Sequence, residues 1–166
     1  MGFFLSSIKE DLPSLALKIP AHSHPFAKVR EYHGIFKSVC NDFLINPQQF
    51  QQIFEGGEEE LSMWSNNKLV NALELFSGLA FYAEGCYFRL KLRFLFSLFD
   101  FNEIKSISIV DLEYMLLSIC DFTYKVLGKI NTRTDQLRLA DWLSHRLDQR
   151  KRVTVTQLYR LCAQAK

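Results

Sequence analysis

Two apolar helical stripes separated by a polar interval of fixed length run through residues 85–122, GCYFRLKLRFLFSLFDFNEIKSISIVDLEYMLLSICDF. Phe88, Leu92, Leu95, Phe96 and Phe99 fall at i, i+4, i+7, i+8 and i+11, one face of an amphipathic helix. Leu112, Met115, Leu116 and Ile119 fall at i, i+3, i+4 and i+7, a second such face. Between them lie the twelve residues Asp100 to Asp111. A helix, a twelve-residue loop and a second helix form the arrangement by which protein oxygens wrap a calcium ion.

That chemistry needs side-chain oxygen at loop positions 1, 3 and 5, a backbone carbonyl at 7 and oxygen or water at 9. It also needs a bidentate Glu at 12 and Gly at 6. Asp100 and Asn102 satisfy positions 1 and 3, Ser106 offers its carbonyl at 7, and Ser108 stands at 9. Ile104 at position 5 has no side-chain oxygen. Lys105 stands at position 6, where a positive φ favours Gly. Asp111 at position 12 is one methylene shorter than Glu. Ile107 at position 8 is the apolar residue that pairs loops through a short β-bridge. The scaffold positions are kept and the chelating set is half lost.

Three further units follow the same grammar. In residues 28–54, Tyr32, Ile35, Phe36 and Val39 line a helix, Ile45 takes the bridge position, and Phe50, Ile53 and Phe54 line the exit helix. Asn46 as N-cap and Pro47 at the first helical position start that exit helix, and its acidic position is Gln49. Next, Val70 is the bridge and Glu74 the acid, with Met63 at position 1 and an exit stripe of Leu69, Ala72, Leu73, Phe76 and Ala80. In residues 133–163, Leu139, Leu143 and Leu147 precede Asp148, and the bridge Val153 leads into Leu158 and Leu161. That loop is two residues short, and its position 12 is Gln157.

From about residue 28 to 163 the chain resembles the four-EF-hand proteins of the calmodulin superfamily, calcineurin B and the neuronal calcium sensors above all. The phrase LVNALELFSGLAFYAEGCYFRLKLRFLFSLFD is similar to the passage from the second exit helix into the third hand. The resemblance implies an all-α fold of degenerate EF-hand-like helix–loop–helix pairs, up to four hands in two lobes, with short β-bridges between paired loops. It divides the chain into an N-terminal extension, 1–27, and two pairs, 28–84 and 85–166. Cation ligands, where retained, would be Asp100, Asn102, Ser106, Ser108 and Asp111. A partner groove would draw on Phe76, Phe88, Leu92, Phe96, Phe99, Leu112, Met115, Leu116 and Ile119.

Composition fits loops that have shed their carboxylates: 20 basic against 18 acidic residues give a net charge of +2. That excess is too small to argue for nucleic acid. Fifteen Phe exceed the ordinary need of a core this size, which points to a partner groove as well as an interior. Cys40, Cys86, Cys120 and Cys162 are widely spaced, and with no secretory signal a reducing, cytoplasmic compartment without disulfides is expected. His22 and His24, in IPAHSHPF, make half a metal site and read as a linker.

The start, MGFFLS, matches a myristoylation template at Gly2, although Phe3 is a poor neighbour for it. Phe3, Phe4, Leu5, Ile8, Leu12, Leu15 and Leu17 read instead as an apolar anchor. Lys9, Glu10 and Asp11 interrupt any membrane span. Glu58, Glu59 and Glu60 suit a helix start. Arg146, Arg150, Lys151 and Arg152 crowd the last loop, as a solvated tip or a contact for an acidic protein surface.

No nucleophile elbow, phosphate loop or zinc-helix motif appears, so no catalysis is expected. The first expectation is a calcium-independent interaction module gripping an amphipathic helix of a larger protein, as a structural or regulatory subunit. From resemblance alone the context is ciliary or cytoskeletal. The alternative is a weak one-site calcium sensor built on Asp100–Asp111 that regulates a partner enzyme or filament.

Overall fold

Each of the four β-branched residues expected to bridge loops does so. The structure, a computed structural model, describes residues 25–54, 69–127 and 152–164. In chain order these form α1 (Phe26–Val39), β1 (Leu44–Ile45), α2 (Pro47–Phe54), β2 (Val70–Asn71) and α3 (Ala72–Tyr82). They continue with α4 (Phe88–Phe99), β3 (Ile107–Ser108), α5 (Ile109–Leu127), β4 (Arg152–Val153) and α6 (Val155–Gln164). The described chain is mostly helical, as expected, with two small antiparallel ladders. β1 pairs with β2 through Leu44 with Asn71 and Ile45 with Val70, and β3 pairs with β4 through Ile107 with Val153 and Ser108 with Arg152. Ile45, Val70, Ile107 and Val153 are all buried. The expected N-terminal anchor, His22, His24, Glu58–Glu60, Met63, Leu139–Asp148, Arg150 and Lys151 lie outside the described residues.

A two-residue ladder holds little by itself; packing does the rest. Helix α3, ALELFSGLAFY, is apolar nearly all round, which suits a helix enclosed by neighbours. Its run from Leu75 to Ala80 is fully buried. On one side it meets α5 so closely that a Cβ on Gly78 would lie 1.8 Å from the Phe122 ring. Tyr82 stacks on the same ring, centroids 6.0 Å apart. The Thr123 hydroxyl donates to the Ile119 carbonyl at 2.7 Å, so across the 2.9 Å contact it is Tyr82 that donates to Thr123. On the other side Phe76 meets Phe36 and Phe54, at 5.3 and 6.2 Å. The core runs without a break from Val29 on α1 to Leu158 on α6, on both sides of Gly85. Gly85 turns the chain from α3 into α4 at φ +71°, a conformation other residues resist.

His33 of α1 lies among these rings, edge-on to Phe76 and Phe94 at 5.2 Å each and stacked on Phe36 at 6.1 Å. Burial, and then the charge of Lys37, push its imidazole from 6.5 down to about 4. The unfolded chain therefore takes up this proton first. Stability is fully present above about pH 6.5 and declines as the pH falls toward 4. Discounted for partial exposure, the loss is on the order of 1–2 kcal/mol. Urea midpoints at pH 7 and pH 4.5 should differ accordingly, and His33→Leu should narrow that difference.

The contact at Gly78 fixes a second expectation. Ala in place of Gly within a helix ordinarily gains about 1 kcal/mol, whereas overpacking costs about 1–3 kcal/mol. With backbone-attached carbon forced into Phe122, the cost wins, and Gly78→Ala should lower the urea midpoint. Gly34→Ala meets nothing within 4 Å and should raise it.

Candidate functional site

Every bridging strand runs straight into a helix, and side chains of the first turn close that helix on itself. Asn46 Oδ1 accepts the Gln49 N–H and Gln49 Oε1 accepts the Asn46 N–H, both at 3.0 Å. Asp111 Oδ2 accepts the Ser108 N–H at 3.1 Å and its hydroxyl at 2.7 Å, while Ser108 Oγ accepts the Asp111 N–H at 3.1 Å. Gln157 Oε1 accepts the Thr154 N–H at 2.9 Å, and Thr154 Oγ1 accepts the Gln157 N–H at 3.4 Å. Asn71 Oδ1 accepts from the Leu73 and Glu74 amides. Three of these four strand-to-helix junctions are thus reciprocal capping boxes, and at the fourth Asn71 is the N-cap.

These caps occupy loop positions 9 and 12, where calcium chemistry would place ligands. The rest of the Asp100–Asp111 loop is engaged in the same way. Asp100 Oδ1 accepts the Ile104 N–H at 3.2 Å and Oδ2 the Lys105 N–H at 2.7 Å. The Ser106 carbonyl, at position 7, accepts from Nη2 of Arg152, whose Nε also donates to Ser106 Oγ at 2.9 Å. A guanidinium from the paired loop therefore sits on the carbonyl a cation would need. Asn102 is exposed. Lys105 has φ +60° and Glu103 φ +54°, so the turn keeps the left-handed geometry without Gly. That costs about 1–2 kcal/mol per residue, offset in part by the Asp100 bonds. Among the described residues no three His, Cys, Asp or Glu side chains gather as a metal cluster.

Gln49 does more than cap. Its Nε2 donates to the Val39 carbonyl at the end of α1, 3.2 Å away, while its Oε1 holds the start of α2. One neutral amide ties the incoming helix to the outgoing one. A carboxylate has no hydrogen to give to that carbonyl. The β-branched–(Asn/Ser/Thr)–x–x–(Gln/Glu/Asp)–apolar repeat is the sequence signal of these helix starts. In each repeat the closing apolar residue (Phe50, Leu75, Leu112, Leu158) is buried.

The residues assigned to a partner groove are brought together, as core. Phe76, Leu92, Phe96, Phe99, Leu112, Met115 and Ile119 are buried, Leu116 is half-buried, and Phe88 is exposed. Among the described residues, exposed aromatic rings also lie at the loops. Phe43 and Phe101 meet at 5.5 Å across the two pairs of loops, each about half exposed. Beside them Tyr114 accepts a hydrogen bond from Asn71 Nδ2 at 3.1 Å. Cys40, Cys86, Cys120 and Cys162 are half-buried. Burial holds the Cys40 and Cys162 thiols above their ordinary value, the opposite of what a nucleophile needs. Among the described residues no helix is long and apolar enough to cross a membrane. No protein-family model matches the chain, and no curated protein matches it.

Gln49→Glu isolates the amide bridge with a single-atom change. At pH 7 the variant should be less stable than the parent by about 1 kcal/mol, the worth of one part-buried hydrogen bond. The gap in melting temperature should close as pH falls through the carboxyl range, because a protonated Glu regains a donor. A simple helix-dipole effect would widen it instead.

Proposed function

We propose that this chain is a non-catalytic scaffold of degenerate, EF-hand-like pairs that binds a protein partner, an amphipathic helix of a larger assembly, without calcium. It acts as a structural or regulatory subunit. The observation that carries this reading is where the loop oxygens go. Asp100, Ser106 and Asp111 accept hydrogen bonds from Lys105, Arg152 and Ser108. In the first unit an uncharged amide joins the two helices. An ion would have to displace these partners and meet the Arg152 guanidinium at loop position 7, and Coulomb repulsion opposes that. Buried apolar bridge residues hold the loops paired in its place.

One observation favours a second reading, a weak single-site sensor. The Asp100–Asp111 loop keeps its full length and its left-handed sixth residue, Lys105. Isothermal titration of calcium into the chain, with a magnesium control, separates the two. The scaffold reading expects no saturable heat and no change of melting temperature with calcium or chelator. A site tighter than about 10⁻⁵ M, at the weak end of sensor affinity, would install the sensor reading.

A further inference from the structure

We infer that the surface shared by α4 and α6 is a docking surface for an acidic amphipathic helix of a protein partner; this rests on the interaction-scaffold reading. Arg89, Leu92, Arg93, Val155, Thr156 and Tyr159 line it, and no carboxylate does. Arg89 and Arg93 stand one helical turn apart, both exposed, with exposed Arg160 following Tyr159 on α6. None of the three arginines makes an ion pair among the described residues, where the pair found is Lys28–Glu31 on α1. Like charges at i and i+4 cost a helix about 0.2–0.5 kcal/mol. An uncompensated pair of this kind gains when an opposite charge arrives.

The geometry selects the partner's form as well as its sign. The Arg89 guanidinium lies over the Tyr159 ring, 5.7 Å from its centroid, so one face is held against the aromatic ring. A guanidinium beside an aromatic ring keeps its donor fork available for two-pronged binding of a carboxylate. Residues at i and i+4 on any helix are about 6 Å apart. Two carboxylates one turn apart on a partner helix therefore match Arg89 and Arg93 in register. Between the cations the floor is apolar, with buried Leu92 and half-buried Val155. Phe88 and Leu90, which flank Arg89 in sequence, are each 46% exposed and add apolar area beside the cations. A helix carrying leucines on one face and glutamates along its edge satisfies all of these groups together. An isolated acidic side chain or a free anion satisfies only the arginines.

The test is fluorescence anisotropy on the full chain in chelator, using a labelled synthetic helix with Leu at i, i+3, i+4 and i+7 and Glu flanking that stripe. Its matched control has Lys for every Glu. The acidic peptide should bind at least tenfold tighter than the basic one, and more weakly as salt rises. Arg89→Glu with Arg93→Glu should weaken it at least tenfold at unchanged circular dichroism. The milder pair Arg89→Gln with Arg93→Gln should fall between, which guards against a folding defect. Equal binding of both peptides, unchanged affinity in the Glu pair, or no binding of the acidic peptide overturns the inference. So does arginine-dependent binding of phosphatidylserine vesicles without peptide binding, which would make the surface a lipid contact. Failure here with a calcium-silent titration leaves the scaffold reading standing. Peptide binding alongside a tight calcium site removes the metal-free reading and keeps the surface.

Discussion

Helix α3 must be covered on every side, because its sequence offers almost no polar face to water. The rest of the described structure follows from how that is done. Gly78 lets the α5 backbone approach until Phe122 rests where a side chain would otherwise stand. Phe76 fills the opposite side among the rings of α1 and α2. Fully burying a side chain such as Phe or Leu is worth about 1.5–3 kcal/mol each, far above the contribution of two-residue ladders. The ladders set register, and α3 supplies the reason for the two halves to share one core.

With the helices held in this way, their first turns still need hydrogen-bond partners. The first helical turns carry unpaired N–H groups, and in a calcium-binding loop the ion organises the oxygens around them. Here the side chains at those places turn inward on the chain. Ser108 with Asp111, and Asn46 with Gln49, close the helix starts, and Arg152 neutralises the Ser106 carbonyl from across the ladder. Three different chemistries, a carboxylate, an amide and a guanidinium, engage these positions.

Much of this was legible in the residues, and the reason is local. Helical stripes such as Leu112, Met115, Leu116 and Ile119, and isolated β-branched residues such as Ile107 and Val153, are set by periodicity that needs no partner to be read. The Asn46–Pro47 helix start was equally plain. The capping role of Asp111 was hidden because a short acid at that spacing reads as a weakened chelator just as well. The Arg152–Ser106 contact joins residues 46 apart, and no local pattern encodes it. Surface or interior was the hardest distinction: Phe88 and Phe96 share one stripe, yet Phe96 is buried and Phe88 is half exposed near the helix start.

By itself the sequence determined that the chain is helical, where its bridges fall and that its loops lack a full ligand set, since these depend on side-chain type and spacing. Only the tertiary structure decided how the remaining oxygens are used and that the two pairs share a core around α3. It also decided that Arg89 of α4 lies over Tyr159 of α6. Those outcomes depend on which atoms distant segments bring within hydrogen-bond or van der Waals reach, a property of packing rather than of order along the chain.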